Sequence, residues 1–335
     1  MTPRVLVIGA GSIGLRHLGN LRALGAGVGA CDPDASRRVL AAERHGAAVF
    51  ADLPAALAAG WDAALVCTPT HTHLAVAHCA VEAGLHVFVE KPLAEVTVGI
   101  PALLASAARR RRTLMVGHSM RFHPGVVRLR ELAAGRLGRI LLATVRGGHF
   151  LPHWRPGQDY REVYSSRRAA GGGVLLDYLH DFDYLRWMLG EAREVFAVAG
   201  RLGTLEIDSD DHATVIVRWW SGAVATLQLD YLRPRRWRAC ELVGDRAVAT
   251  WEADGKGPER SRVTLAAGND AVESVDEWLV EGDEPYREEI AHFLESLAGG
   301  APVTVPGEEG LHSLRLVEAA ALSAQTGAWV PVSTA

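Results

Sequence analysis

Residues 4–14 read RVLVIGAGSIG, and this stretch decides the fold of the first part of the chain. Arg4–Ile8 is an apolar run typical of a buried strand, and the pattern GxGxxG follows it directly. The first glycine of such a loop permits a tight turn, the second lets a pyrophosphate approach the backbone, and the third lets helix and strand pack closely. The order strand, glycine turn and helix therefore predicts a dinucleotide-binding unit.

A carboxylate at the end of the second predicted strand supports this interpretation. Asp32 lies about 20 residues beyond the glycine loop, where an acidic side chain can accept hydrogen bonds from the adenosine ribose. A carboxylate there repels a 2′-phosphate, so the sequence predicts NAD. Arg37 and Arg38 follow closely and keep NADP as a second option. The predicted cofactor contacts are Gly9, Gly11, Ser12, Ile13, Gly14, Asp32, Thr68, Pro69, Glu90 and Lys91.

The pattern of apolar residues divides the chain near Met120. Before that point, continuous apolar strands alternate with helices, which predicts a parallel sheet covered on both faces. Between Glu194 and Trp278, short β-rich runs with period-2 patterning and tight turns predict an antiparallel sheet with one covered face. We therefore predict an α/β protein with a Rossmann domain at residues 1–120 and a second α/β domain at residues 121–335.

The bulk composition excludes several classes of protein. The 335 residues are 49% hydrophobic and 22% charged with a formal net charge of −4, so no overall basic field favours nucleic acid or an anionic membrane. Apolar stretches stop well short of the ~18 residues that a membrane span needs, and no signal-peptide pattern is present. The four cysteines show no CxxC or zinc spacing. We expect reduced thiols in a cytoplasmic protein.

The stretch HVFVEKPLAE, residues 86–95, places charge at an unexpected position. A buried-looking strand runs straight into Glu90 and Lys91, and Pro92 then favours an extended conformation for the lysine. Ligands of open α/β sheets bind at the carboxyl ends of the strands. We therefore predict that Lys91 points into an active site. His73, after the fourth strand, is interpreted as a capping or packing residue.

Four motifs together resemble the glucose–fructose oxidoreductase/inositol dehydrogenase (Gfo/Idh/MocA) family. They are GAGSIG at the start, TPTHTH at 68–73, VEKPL at 89–93 and GGGVLLDYLHDFDYLRWMLG at 171–190. The resemblance implies a Rossmann domain, a second α/β domain with a large, open, mostly antiparallel sheet, and NAD(P)-dependent dehydrogenation of sugars, cyclitols or nucleotide sugars. It also implies a homodimer or homotetramer formed through that sheet.

The resemblance assigns three catalytic residues. Lys91 matches the family's active-site lysine, and His180, in an H-x-x-D run with Asp183, matches its catalytic histidine. Asp177 is the nearest match to the substrate-binding aspartate, although two residues separate it from His180 where the commoner pattern has three. The shorter spacing resembles that of some sugar-modifying branches.

Elementary chemistry supports the same three residues. If 176–189 is one helix, Asp177 and His180 stand at i and i+3 on one face. Oxidation of a secondary alcohol releases a hydroxyl proton, which an imidazole can accept, and an ammonium stabilises alkoxide character on the oxygen. The alternative is that His180 is an ordinary helix residue paired with Asp177 or Asp183, and that Lys91 is an exposed turn residue.

The polar segment 149–173 is a candidate for substrate selection. Its arginines suit phosphate or carboxylate, and its aromatic residues suit the face of a sugar or base. We hypothesise a lid over an anionic or nucleotide-linked sugar, or over an amino-sugar or cyclitol precursor, with a solvated or oligomer-contacting loop as the alternative. The predicted substrate contacts are Arg121, Trp154, Tyr160, Arg167, Arg168 and Asp177. The histidines at 118, 123, 149 and 153 show no metal-ligand spacing, and we predict no metal.

The sequence leaves two other functions open. A glycoside-cleaving enzyme could use bound NAD transiently, and a regulatory protein could sense the dinucleotide on the same scaffold. Intact Lys91 and His180 argue against a pure sensor, because sensing needs no proton-transfer pair. The open sheet face needs a cover, so we expect a homodimer or homotetramer.

Overall fold

The structure, a computed structural model, describes residues 2–255, 257–268 and 271–333. Its internal contacts divide the chain into two compact units. The first comprises the chain up to Ser119 together with Asp283–Leu311, and the second comprises Met120–Gly282 together with the chain from His312 onward.

The first unit contains a six-stranded sheet with strand order β3-β2-β1-β4-β5-β6, in which every pairing is parallel. This is the doubly wound order of a Rossmann fold. The elements are β1 Arg4–Ile8, α1 Ser12–Ala23, β2 Gly27–Cys31, α2 Ala35–His45, β3 Ala48–Phe50, α3 Leu53–Leu57, β4 Ala63–Val66, α4 Thr70–Glu82, β5 His86–Glu90, α5 Ile100–Arg110 and β6 Leu114–Gly117. The central strands β1, β4 and β5 are buried along nearly their whole length, as a sheet covered on both faces requires.

The second unit contains a nine-stranded sheet with strand order β14-β13-β12-β11-β7-β10-β9-β8-β15. All pairings are antiparallel except that of β7 with β10. The elements are α6 Pro124–Gly135, β7 Ile140–Gly148, α7 Val174–Asp177, α8 Leu179–Leu189, β8 Ala192–Gly200, β9 His212–Trp219, β10 Val224–Asp230, β11 Trp237–Gly244, β12 Ala247–Asp254, β13 Glu259–Ala267 and β14 Ala271–Val280. Alternate residues of β9 and β10 are buried, so one face of the sheet carries the core.

Two helices and a short strand complete the chain: α9 Glu284–Leu297, α10 Gly307–Thr326 and β15 Val330–Pro331. The sequence-based boundary assigned everything after residue 120 to the second domain, whereas Asp283–Leu311 belongs to the first unit. Phe293 of α9 packs against Phe88 of β5 at 5.8 Å, and the Val116 N–H donates to the Val305 carbonyl at 2.9 Å. An amphipathic pattern identifies a helix without identifying the sheet that it covers.

The predicted helix 176–189 is two helices in the structure. Tyr178 has φ −92° and ψ +21° and separates α7 from α8. Asp177 is the last residue of α7 and His180 the second of α8, so they do not share one continuous helix face. Among the described residues, no helix combines the length and apolar character needed to cross a membrane.

Candidate active site

The glycine loop has the geometry of a dinucleotide cradle. Gly9 adopts φ +95°, and a Cβ there would lie 2.7 Å from the Cys67 carbonyl carbon. A Cβ on Gly14 would lie 1.9 Å from the carbonyl oxygen of Gly9, so both positions exclude a side chain. By contrast, a Cβ on Gly11 would meet no described atom within 4 Å. Helix α1 begins at Ser12 without a side-chain cap, which leaves its first N–H groups available to phosphate oxygens.

Asp32 is fixed by the backbone at the end of β2. Its Oδ2 accepts a hydrogen bond from the Ala10 N–H at 2.8 Å, and its Oδ1 accepts one from the Asp34 N–H at 2.9 Å. The side chain is almost completely buried, and it ties the glycine loop to the second strand. The Arg38 guanidinium donates to the carbonyl oxygens of Asp32 and Pro33. Arg38 is thereby committed to the backbone, whereas half-exposed Arg37 is not.

The loop after β4 is tied to the loop after β5. His73 is buried, and its two ring nitrogens each lie 2.8 Å from a carbonyl oxygen, one of Thr68 and one of Pro92. Burial lowers the pKa of His73. The Thr68 hydroxyl accepts from that of Thr72 at 2.7 Å, and Pro69 is exposed. These contacts agree with a packing role for His73.

Glu90 and Lys91 stand at the carboxyl end of β5. Glu90 is buried and its Oε1 lies 2.7 Å from Nε2 of His17 on α1, while its Oε2 accepts the Lys91 N–H at 3.1 Å. Burial alone would raise the pKa of Glu90, but the hydrogen bond from His17 and the charge of Lys91 outweigh it and lower the pKa. Lys91 is half-buried and precedes a cis peptide bond to Pro92. It is one of two lysines in the sequence, and the other, Lys256, lies outside the described residues.

In the second unit, two tyrosine hydroxyls hold the carboxylate of Asp177. Tyr164 donates to Oδ1 at 2.8 Å, and Tyr231, which is fully buried, donates to Oδ2 at 2.6 Å. Burial, reinforced by the neighbouring carboxylate, raises the pKa of both tyrosines well above the ordinary value. The hydroxyls therefore stay protonated and donate. A carboxylate held in this way keeps lone pairs for a further donor, such as a sugar hydroxyl.

His180 is the second residue of α8 and precedes a residue of a buried polar network. His180 is half-buried, and the next residue, Asp181, is completely buried and accepts the Tyr184 hydroxyl at 2.8 Å. Arg238 of β11 lies 3.3 Å from Asp181 and 5.4 Å from the centre of the Tyr178 ring. These contacts anchor the first turn of α8, on which His180 lies.

Arg121 forms a buried ion pair with Asp183. Its Nε and Nη2 donate to the two oxygens of Asp183 at 2.7 and 2.8 Å, and both side chains are buried. Ser313 of α10 donates to the same carboxylate at 2.8 Å. The geometry favours a structural role in which Arg121 fixes α8 through Asp183, and its contact with a substrate stays a prediction.

The segment 149–173 is built from short 3₁₀ turns. Trp154 lies 5.2 Å from the Tyr231 ring and donates to the His149 carbonyl, so it helps enclose the Asp177 region. The Tyr160 hydroxyl instead accepts the Glu206 N–H, which indicates a structural role. Arg167 and Arg168 are exposed.

Known proteins resemble this chain over almost its full length. The NAD-binding Rossmann-fold domain of the Gfo/Idh/MocA oxidoreductase family matches residues 3–118, and the C-terminal α/β domain of that family matches residues 130–332. The chain belongs to the Gfo/Idh/MocA family. It is thus an oxidoreductase, and its first unit is an NAD-binding domain.

Individual relatives are similar to this family member at moderate identity. A myo-inositol dehydrogenase from Streptomyces leeuwenhoekii is 32% identical over 98% of this chain and 99% of its own. A UDP-N-acetylglucosamine 3-dehydrogenase from Acidithiobacillus ferrooxidans is 36% identical over 67% of this chain and 66% of its own. The crystal structure of GenD2 from gentamicin A biosynthesis in complex with NAD is 27% identical with a TM-score of 0.84, covering 99% of this chain and 97% of that one.

Sequence reasoning missed three residues that hold predicted site residues, two of them in the second unit and one in the first. Tyr231 and Tyr164 hold Asp177, and His17 holds Glu90. Tyr164 lies in the segment selected for its aromatic residues, but neither Tyr231 nor His17 gave a local signal. Within the described ranges, no group of three or more His, Cys, Asp or Glu residues could hold a metal ion.

Proposed function

We propose that this protein is an NAD-dependent dehydrogenase that interconverts a secondary alcohol and a ketone on a sugar, nucleotide sugar or cyclitol. One observation carries the proposal. The glycine loop, Asp32 and Lys91 all follow strands of one parallel sheet at its carboxyl edge, where ligands of such sheets bind. The open space at Gly11, the uncapped start of α1 and the fixed carboxylate of Asp32 fit a dinucleotide with a free ribose 2′-hydroxyl.

The roles follow from the chemistry of each side chain. NAD, when bound, accepts the hydride from the substrate carbon. We assign proton transfer at the substrate hydroxyl to His180, because imidazole exchanges a proton near neutral pH. We assign to Lys91 the stabilisation of negative charge on a substrate oxygen through its ammonium group. Asp177 accepts a hydrogen bond from a substrate hydroxyl, since the two tyrosine donors fix the orientation of its carboxyl group.

We further propose that the substrate carries negative charge, as a nucleotide sugar does. Arg155 supports this: its guanidinium carbon lies 5.5 Å from the centre of the Tyr164 ring, and the Tyr164 hydroxyl reaches Asp177. Exposed Arg167 and Arg168 belong to the same segment. Arg161 differs, because Asp159 and Glu206 already pair with it. Planar guanidinium groups suit phosphate and carboxylate.

The decisive experiment is a spectrophotometric assay of NADH formation with cyclitols, amino sugars, uronates and nucleotide sugars. We expect turnover with at least one of them and its loss in Lys91→Met, which keeps the length of the side chain without the charge. Lys256→Met is the matched control and should retain activity. Tight NADH binding without turnover of any candidate contradicts the proposal and favours a dinucleotide sensor. Glycoside cleavage without net NADH release favours the NAD-using hydrolase.

The charge of the substrate is tested separately with three single substitutions, Arg155→Gln, Arg167→Ala and Arg168→Ala. An anionic substrate predicts a higher KM in each variant, with little change for a neutral analogue. Arg161→Ala serves as the control because its guanidinium is already paired. An unchanged KM for the anionic substrate in all three variants rejects this part of the proposal.

Assembly and location are also proposals. Large apolar side chains stay exposed on strands of the second sheet, among them Leu142, Val198, Val275 and Leu279. Burying such residues favours a homodimer or homotetramer, and light scattering that gives a monomer contradicts it.

All four cysteines are free thiols, which supports a reducing compartment such as the cytoplasm.

A further inference from the structure

His17 is a buried histidine for which the proposed reaction has no direct use. It lies on α1, the helix that follows the glycine loop, and is completely enclosed. Its ring packs edge-on against Phe88 at 5.6 Å and Tyr286 at 6.1 Å. Its Nε2 lies 2.7 Å from Oε1 of Glu90. The ring therefore connects the cofactor helix to the residue before Lys91.

The surroundings of the ring determine its tautomer. Nδ1 of His17 is buried and has no hydrogen-bond partner within the described part of the chain. A proton on Nδ1 would leave an unpaired donor in an apolar setting, which is costly. A ring with its proton on Nε2 avoids that cost and donates to Glu90. The histidine is thus a fixed donor.

Glu90 depends on this donor more than on any other side chain around it. Its second oxygen accepts the backbone N–H of Lys91. The other titratable groups near Glu90 are on the elements packed around β5, and they are Cys67, His73, Lys91 and Tyr286. Cys67 and Tyr286 do not offset the charge of the carboxylate, and His73 already faces two carbonyl oxygens.

We propose that His17 is a positioning residue for the reaction: by donating to Glu90 it orients the carboxylate, which in turn holds the backbone of Lys91 in position. This inference rests on the proposed function of Lys91. The opposing interpretation is that His17 only fills space between α1, β5 and α9. The two interpretations differ in what a substitution does to Glu90, so they can be separated.

Two substitutions of His17 distinguish a positioning role from a space-filling role. His17→Phe keeps an aromatic ring against Phe88 and Tyr286 and removes the donor. His17→Gln removes the ring and restores an amide N–H at about the reach of Nε2. If His17 positions Glu90, His17→Phe lowers kcat by about tenfold or more, because a hydrogen bond to a charged group corresponds to at least that factor. His17→Gln recovers part of the loss, and the Kd for NADH stays within about threefold in both variants.

The pH dependence of stability gives a readout that needs no turnover. In the native protein the pKa of Glu90 is lowered, so the stability that Glu90 contributes is present above its unfolded pKa and is lost as pH falls through the folded value. In His17→Phe, burial is no longer opposed by the histidine, and the pKa of Glu90 rises. The Tm deficit of His17→Phe should therefore be largest near neutral pH and shrink toward about pH 4, the ordinary range of a glutamate.

Glu90→Gln completes the cycle. In that background, the pH-dependent part of the His17→Phe deficit should disappear, because no carboxylate remains to respond. A deficit that is constant with pH overturns the inference, as does a His17→Gln variant no better than His17→Phe. An equal fall in NADH affinity overturns it too, since that indicates damage to α1. If the panel yields no substrate, the proposed function fails, while the Tm cycle still decides whether His17 controls Glu90.

Discussion

Removing the hydroxyl that Tyr231 donates to Asp177 tests whether this carboxylate binds the substrate in addition to stabilising the second unit. Tyr231→Phe deletes the donor 2.6 Å from Oδ2 and keeps the ring, which packs against Trp154 at 5.2 Å and Tyr178 at 6.5 Å. Because the ring shape is retained, the substitution opens almost no cavity. The loss is confined to one charge-assisted hydrogen bond to Asp177.

The expected magnitude follows from that single bond. A hydrogen bond to a charged group contributes about 1.5–3 kcal/mol, and the bond is fully buried. For a unit of this size, each kcal/mol lost from the free energy of unfolding lowers Tm by about 2–4 °C. Tm should therefore fall by roughly 3–12 °C. Asp177 keeps its bond from Tyr164, so we expect a looser carboxylate and a kcat/KM lower by about tenfold, mostly through KM.

The assay pairs thermal unfolding with steady-state kinetics on the best substrate of the panel. Tyr184→Phe is the matched control, because Tyr184 is equally buried and donates to another buried carboxylate, Asp181, at 2.8 Å. It should lower Tm by a similar amount with a much smaller rise in KM. If Tyr231→Phe and Tyr184→Phe raise KM equally, or if Tyr231→Phe leaves KM unchanged, Asp177 does not bind the substrate as proposed.

Four further substitutions test other parts of the molecule. Gly9→Ala should lower Tm and abolish NADH binding because a Cβ meets backbone at 2.7 Å, whereas Gly11→Ala should keep Tm and weaken only NADH binding. Fluorescence titration and thermal unfolding distinguish the two, and identical behaviour contradicts the cradle geometry. Asp32→Ser should reduce the preference for NAD over NADP, measured as the ratio of the two kcat/KM values, and an unchanged ratio counts against Asp32. Arg121→Met should destabilise the protein by about 3–5 kcal/mol because Asp183 stays buried without its partner, and a chemical denaturation midpoint close to that of the native protein refutes this.

The parts of the site that the sequence predicted are those with local signals. The glycine loop, Asp32 and the Glu90–Lys91 pair each follow a buried strand at once, and the carboxyl ends of parallel strands share one edge of the sheet. A single motif and the strand order therefore suffice to place them. Their roles in binding and catalysis remain predictions.

The parts that sequence reasoning did not predict depend on tertiary packing. Tyr231 is 54 positions from Asp177, and no periodicity links them. Arg121 looked like a substrate ligand because an arginine near a domain boundary gives no sign of a carboxylate 62 positions away. The break at Tyr178 contains neither Gly nor Pro, and the hydrogen bonds that hold Asp177 before it and Asp181 after it come from residues remote in the sequence or in the next turn.

The scarcity of lysine has a practical consequence. Among 335 residues the ε-amino groups belong only to Lys91 and Lys256, because nearly all the positive charge is on arginine. Reductive methylation with isotope-labelled formaldehyde would therefore produce a spectrum with very few signals, one of them from the proposed reaction centre. The same property makes amine-coupling supports and lysine-directed cross-linkers a poor choice for immobilising this enzyme, since few other amines compete with Lys91 for the reagent.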